Sequence, residues 1–328
     1  MTQEKRFRDL LLVMVIVAMR MSLVQFGWAA ELLVIGRSSI CRLTIWVFQK
    51  EFTMLPGHPT VLSAVFGMLI AWPAAGQEND ASRKTLETMR RHVASLHAVS
   101  HPAKGEELPL KLVTTPVLRY SDAGGITTDA SIWVWGDQGR PAIMAGIFFL
   151  TQEGRDPKWS CELLSLADDG VAVSSDVGWR WAPDKGDLKW FVIEDTPGDS
   201  DRQRLRQMKE IAERYEVTTF EKTAKSQLRL MVQPLYRYAD EERGLIDGSV
   251  FSYAAGTNPE TVLIVECRKT NDALGWRAAF ARFGANRCQA RKGETVVWEC
   301  QAIQRWDAKE PYFSQFGTVQ QVFETSRK

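Results

Sequence analysis

Residues 116–149, PVLRYSDAGGITTDASIWVWGDQGRPAIMAGIFF, lie without a gap over residues 234–267, PLYRYADEERGLIDGSVFSYAAGTNPETVLIVEC. Seven positions are identical: Pro116/Pro234, Arg119/Arg237, Tyr120/Tyr238, Asp122/Asp240, Asp129/Asp247, Ser131/Ser249 and Pro141/Pro259. Ile132/Val250, Trp133/Phe251 and Trp135/Tyr253 keep size and apolarity. Upstream, a helical stripe repeats at nearly the same offset, as Leu86/Leu205, Met89/Met208, Val93/Ala212 and Leu96/Tyr215. The repeat unit is then a helix followed by a sheet, and a repeat of that length bears on the whole fold. The expected class is α+β: two tandem helix-plus-antiparallel-meander repeats packed pseudo-symmetrically.

Around the matched stretches, helices are expected from Asp80 to about Val99 and from Arg202 to about Tyr215, with Asp80 and Asp201 as caps. Apolar residues recur there at three- and four-residue steps among Lys, Arg and Glu. Strands are expected near residues 111–120, 127–135, 142–151, 159–166, 171–174 and 178–181, and again near 227–238, 245–254, 261–268, 276–283, 287–291 and 295–300. Short links punctuated by Gly124, Gly125 and Gly293 imply antiparallel neighbours. Residues 194–201 read as a linker, so the repeats run over 77–197 and 198–328.

The spacing of the matched strands, 118 residues, is even, which keeps the same strand face buried in both halves. If the first hairpin pivots at Gly124, Arg119 sits across from Asp129, and the equivalent pivot sets Arg237 across from Asp247. Both are expected as structural cross-strand pairs that fix register on a half-buried sheet. Trp133, Trp135, Phe251 and Tyr253 share that face. They are the candidate ligand-binding residues, should the sheets curve into an aromatic-lined concave site.

Other chemistry is thin. No histidine follows His101, which removes a sheet-borne Ser-His-Asp or Cys-His machine unless the first helix supplies its histidine. His97 and His101 have helical i, i+4 spacing, but Pro102 follows and they read as solvated helix-end residues, not as metal ligands. Asp168-Asp169 and Asp240-Glu241-Glu242 read as turns before they read as paired catalytic acids. No catalytic residue, metal or cofactor is assigned.

Composition is that of a globular chain, 45% apolar and 25% charged, long enough for a sizeable core. The first 76 residues hold seven Lys/Arg against four Asp/Glu, which leaves 34 against 36 for the rest. A body without a basic field argues against nucleic acid as a partner. Residues 61–72 are an apolar run, followed by Ala74-Ala75-Gly76 before Gln77, and this resembles a signal peptide over 54–76 with Met54 as the true start. Residues 1–76 form a targeting region. A membrane helix from about Leu10 to Ile35, interrupted by Arg20, is the alternative and the only expected membrane contact. Export would put Cys161, Cys267, Cys288 and Cys300 in an oxidising compartment, an even number that permits two disulfides without fixing their connectivity.

The segments LMVQPLYRYAD (230–240), IDGSVFSYAAGTNPETVLIVE (246–266) and, more loosely, RLRQMKEIAERYEV (204–217) resemble a family of secreted, internally duplicated proteins of planctomycete-type bacteria. The resemblance covers about residues 202–298. It implies export, and it implies no activity, fold or catalytic residue; the stretch before Met54 departs from it. The expected function is that of an exported non-enzymatic envelope or periplasmic protein with a structural or binding role. The alternatives are a carrier for an apolar ligand or glycan and a carboxylate-dependent hydrolase.

Overall fold

In the computed structural model the described residues are 80–323, apart from 102–104, 122–126, 137, 152–155, 222–223 and 272. They all belong to the second of the two units into which the chain divides, Gln77–Lys328. The targeting region, its signal peptide and the alternative membrane helix lie outside the described residues. Among the described residues no helix is long and apolar enough to cross a membrane.

The expected α+β class does not hold. Strands take 51% of the described residues and helices 15%, so the protein is mainly β, built of large curled antiparallel sheets rather than helix-plus-meander repeats. Among the described residues two helices exceed one turn, α1 (Asp80–Ala94) and α2 (Asp201–Glu213); α3 (Val319–Val322) is a single turn. The reason is that His97–Ser100, Phe191–Ile193, Glu216–Phe220 and Tyr312–Gly317, none of them read as strands in the sequence, are strands, and the pairings of Phe191–Ile193 and of Tyr312–Gly317 cross the expected repeat boundary.

Three sheets result. The five-stranded sheet has the order β17-β6-β5-β4-β3, from β3 (Leu118–Tyr120), β4 (Thr127–Trp135), β5 (Ile143–Leu150), β6 (Lys158–Ser165) and β17 (Tyr312–Gly317). The eight-stranded sheet has the order β16-β15-β10-β11-β12-β13-β14-β9. Its members are β9 (Phe191–Ile193), β10 (Glu216–Phe220), β11 (Lys225–Asp240), β12 (Leu245–Ala255), β13 (Asn258–Thr270), β14 (Ala273–Arg282), β15 (Arg287–Lys292) and β16 (Thr295–Cys300). The small sheet β2-β1-β7-β8 joins β1 (His97–Ser100), β2 (Leu108–Pro109), β7 (Val171–Ser174) and β8 (Arg180–Trp181). Thus β17, from the last part of the chain, completes the sheet of the first half, and β9, from before α2, completes that of the second.

Strand parity decides what each face meets. Even-numbered residues of the five-stranded sheet (Ala130, Ile132, Val134, Met144, Phe148, Leu164) pack on Val250, Val262, Ile264 and on Ala281 and Phe283 of the eight-stranded sheet, which makes a sandwich with one apolar interlayer. The odd face of β4 and β5 lies under α1 and the small sheet, with Met89 and Val93 against Trp133, Trp135 and Ile143. On the far side, Met208, Ile211 and Ala212 of α2 cover Phe251, Tyr253, Leu263 and Val265.

Local signals account for most element ends. Ser200, not Asp201, caps α2: its hydroxyl accepts from the Gln203 N–H while the Gln203 side chain accepts from the Ser200 N–H. The first helix stops at Ala94, short of the expected Val99, because His97–Ser100 pairs with Val171–Ser174. His97 and His101 are therefore not on a helix; they face Asp176 and Glu107, at 3.2 and 2.7 Å.

Candidate functional site

Trp133, Trp135, Phe251 and Tyr253, expected to line an open sheet, are core residues. None exceeds 2% exposure. The tryptophans lie under α1, and the Tyr253 hydroxyl donates to the Ala212 carbonyl at 2.6 Å. The helices that the sequence placed on this face are what seals it, so no aromatic platform remains for a ligand there.

The repeated Arg and Asp do meet, though the register differs from the expected one. Arg119 opposes Ser131 and Arg237 opposes Ser249, which leaves each Asp two residues off the direct partner, a diagonal that a long Arg side chain spans. Arg119 donates to Asp129 at 3.1 and 2.7 Å, and Arg237 to Asp247 at 2.9 and 2.6 Å. Each guanidinium also donates to a carbonyl in the first turn of its helix, Ser82 and Asp201. These pairs therefore join sheet to helix. Asp247 has a second cation, Arg204, whose Nε donates at 3.1 Å and which is itself buried with Met208, Ile211 and Ala212 on the inner face of α2. A charged residue on the apolar stripe of α2 was the available signal for it.

Two polar clusters sit at opposite ends of β13, whose interlayer face reads Glu260, Val262, Ile264, Glu266. At one end the fully buried Glu266 accepts from Arg277 (2.9 and 2.5 Å), Arg140 (3.2 Å), Arg268 (3.4 Å) and the Tyr238 hydroxyl (3.2 Å). Arg277 stacks on Trp190 at 3.8 Å, with Arg140 at 5.0 Å from the same ring. Every acceptor position is taken, which marks a structural clamp between the sheets.

At the other end Glu260 and Glu162 are close enough to repel. Desolvation pushes Glu162 up to about 8, with Glu260 adding to the rise and the Tyr312 hydroxyl opposing it, although Glu162 keeps some solvent contact. Desolvation likewise pushes Glu260 up to about 7, helped by its neighbours Cys288 and Glu221. One Glu260 oxygen accepts from Asn258 at 2.9 Å, and Oε2 has no hydrogen-bond partner. Gly284 lies against that oxygen so closely that a Cβ would stand 2.0 Å from it. Like charges at low dielectric hold protons near neutral pH. Acids on the apolar faces of β6 and β13 were the only hint of Glu162 and Glu260 in the sequence.

Beside this cluster opens a cleft of about 770 Å³, lined among others by Arg282, Trp298, Cys300, Trp306 and Tyr312. Its wall is the crossover, residues 301–311, that carries the chain from β16 to β17. Arg282 ties the start of that crossover to the link between β14 and β15, donating to the carbonyl of Gln301 (2.9 Å) and to those of Gly284 (3.1 Å) and Asn286 (3.0 Å). No family model, curated protein or solved structure matches the chain. The cleft's chemistry has to be read from its own residues. Trp306 is 41% exposed and sits 5.8 Å from the Tyr312 ring, with Glu299, Gln301, Arg305 and Asp307 also in the lining. Aromatic faces edged by planar hydrogen-bonding groups suit a ligand with both apolar faces and hydroxyls. Among the described residues no three His, Cys, Asp or Glu side chains converge as metal ligands.

Proposed function

We propose that the protein is an exported, non-catalytic binding protein whose ligand seat is the cleft at Trp306, and that the ligand class is a glycan. The observation that carries this is an indole left 41% exposed in a concave, mixed polar lining. A sugar ring would stack on Trp306 while Glu299, Gln301 and Asp307 take its hydroxyls. Binding is favoured over hydrolysis because the two acids that burial raises towards neutral pH, Glu162 and Glu260, are not among the carboxylates that line the cleft, Asp187, Glu299, Asp307 and Glu310. In calorimetric titration with a panel of neutral and acidic oligosaccharides, Trp306→Ala should weaken binding roughly tenfold or more, about 1.4 kcal/mol. Absence of any saccharide that binds the parent protein, or equal affinity in the variant, rejects the reading.

Export rests on residues 61–76, and a body with slightly more acidic than basic groups fits an extracytoplasmic partner better than nucleic acid. N-terminal sequencing of protein made in its host should find a mature chain beginning near Gln77; a mature form that retains residues 1–53 rejects a start at Met54. The reading also takes the two halves as an internal repeat. The same strand pairings at matching positions support it: Arg119 with Ser131 and Tyr120 with Ala130, then Arg237 with Ser249 and Tyr238 with Gly248.

A further inference from the structure

We propose that Cys288 and Cys300 are a modification site, a thiol pair that closes into a cross-strand disulfide at the cleft wall. The register pairs Cys288 directly with Cys300. Directly opposed residues of antiparallel strands hold their Cα atoms about 4.5 or 5.5 Å apart, inside the roughly 4.4–6.8 Å that a disulfide spans. The remaining described cysteines have no such partner: Cys161 pairs with Ile147 and Gln315, and Cys267 with Asp247 and Trp276.

The two thiols differ in a way that assigns their roles. Cys300 ends the edge strand β16 and lines the cleft, so a solute reaches it. Its thiol is drawn down to about 7, first by the hydrogen bond from the Cys288 thiol and further by Arg282, against the opposing effect of burial. Cys288 is fully buried, and its thiol is held high by that same hydrogen bond and by desolvation. Cys300 is thus the attacking group and Cys288 the resolving one.

The oxidant is a small disulfide, R–S–S–R. The Cys300 thiolate attacks one of its sulfurs, forming a Cys300–S–S–R bond and releasing RS⁻. Cys288 then attacks the Cys300 sulfur, and its proton leaves with the second RS⁻ as RSH. Two protein thiols are oxidised, one external disulfide is reduced, and the two protons end on the released thiols. Closure ties the end of an edge strand to β15 at the point where the crossover carrying Trp306 departs. Oxidation therefore stiffens the cleft; this consequence rests on the binding reading, whereas the thiol chemistry does not.

The test uses the full chain with Cys41→Ser, incubated with oxidised glutathione, alkylated and peptide-mapped. The expected product is a crosslink between the peptides of Cys288 and Cys300, lighter by two hydrogens, with Cys161 and Cys267 still alkylated after unfolding. Cys288→Ser should stop at a glutathione adduct on Cys300, and Cys300→Ser should leave Cys288 unmodified. Both thiols remaining free in the parent chain, or Cys300 pairing with another cysteine, overturns the disulfide. Saccharide titration of oxidised and reduced protein tests the cleft separately: a disulfide that forms without altering any binding removes the stiffening and leaves the thiol chemistry standing.

Discussion

Asp247→Ala is expected to destabilise the protein by about 3–5 kcal/mol, the general scale for removing one partner of a buried ion pair. Two guanidinium groups lose their acceptor at once. Arg237 is about a third exposed at its side chain and recovers water, so its share is small. Arg204 is not: its side chain is 8% exposed and is left with Asp201 and the carbonyls of Gly198 and Asp199. A simple pair would be rescued by Arg237→Leu with Asp247→Leu, because both charges leave together. Here that double variant should stay well below the parent, and recovery should need Arg204→Met as well. Urea unfolding of the single, double and triple variants measures this. A double variant as stable as the parent would show that Arg204 is indifferent to Asp247.

The second large effect is on pH. A carboxyl raised in the folded state gives stability that is full below its unfolded value and is lost as pH rises through the folded one. For Glu260 the window runs from 4.5 to about 7, which corresponds to on the order of 3 kcal/mol once the group is fully ionised. Glu162 extends the same trend to about 8. Cys300, lowered to about 7, acts in the opposite sense above that pH. The informative quantity is therefore the difference between the parent and Glu260→Gln at each pH. The two should be nearly equal near pH 5, and the Gln variant should be the more stable at pH 9, where the parent must hold a carboxylate beside Glu162, Glu221 and Cys288. A constant difference across that range would mean that Glu260 titrates normally. Gly284→Ala should mimic the strain at every pH, since its methyl group would crowd the same oxygen.

What could be read from the residues followed from local repetition. Alternation with glycine turns located most of the central strands, although the one expected over 111–120 is only Leu118–Tyr120, and the ten-residue separation of Arg119 from Asp129 and of Arg237 from Asp247 put each pair within one hairpin. The class was misjudged because the missing strands have no local signature. Phe191–Ile193 is three residues long and pairs with Trp276–Ala278, and Glu216–Phe220, just past the expected end of the second helix at Tyr215, joins β11 to β15. The aromatic residues were placed on the correct face and given the wrong surroundings, since alternation shows that a face is apolar without saying what covers it. Glu162 and Glu260 belong to different sheets, and their proximity is a product of the sandwich alone.

The pairing of β17 with β6 has a consequence for biogenesis. Tyr312 opposes Leu164 and Gly317 opposes Trp159, so the edge of the five-stranded sheet waits for a partner made about 150 residues later. Synthesis at about 5–20 residues per second leaves β6 with an open row of amides for several seconds after it emerges. The same edge is open in any chain that is threaded through a membrane unfolded and delivered from its N-terminal side. Such an edge recruits strands from other chains unless it is shielded. The last dozen residues before α3 thus act in part as a plug that arrives last, and a nascent chain stalled before Tyr312 should be a substrate for holdase chaperones while the completed chain is not.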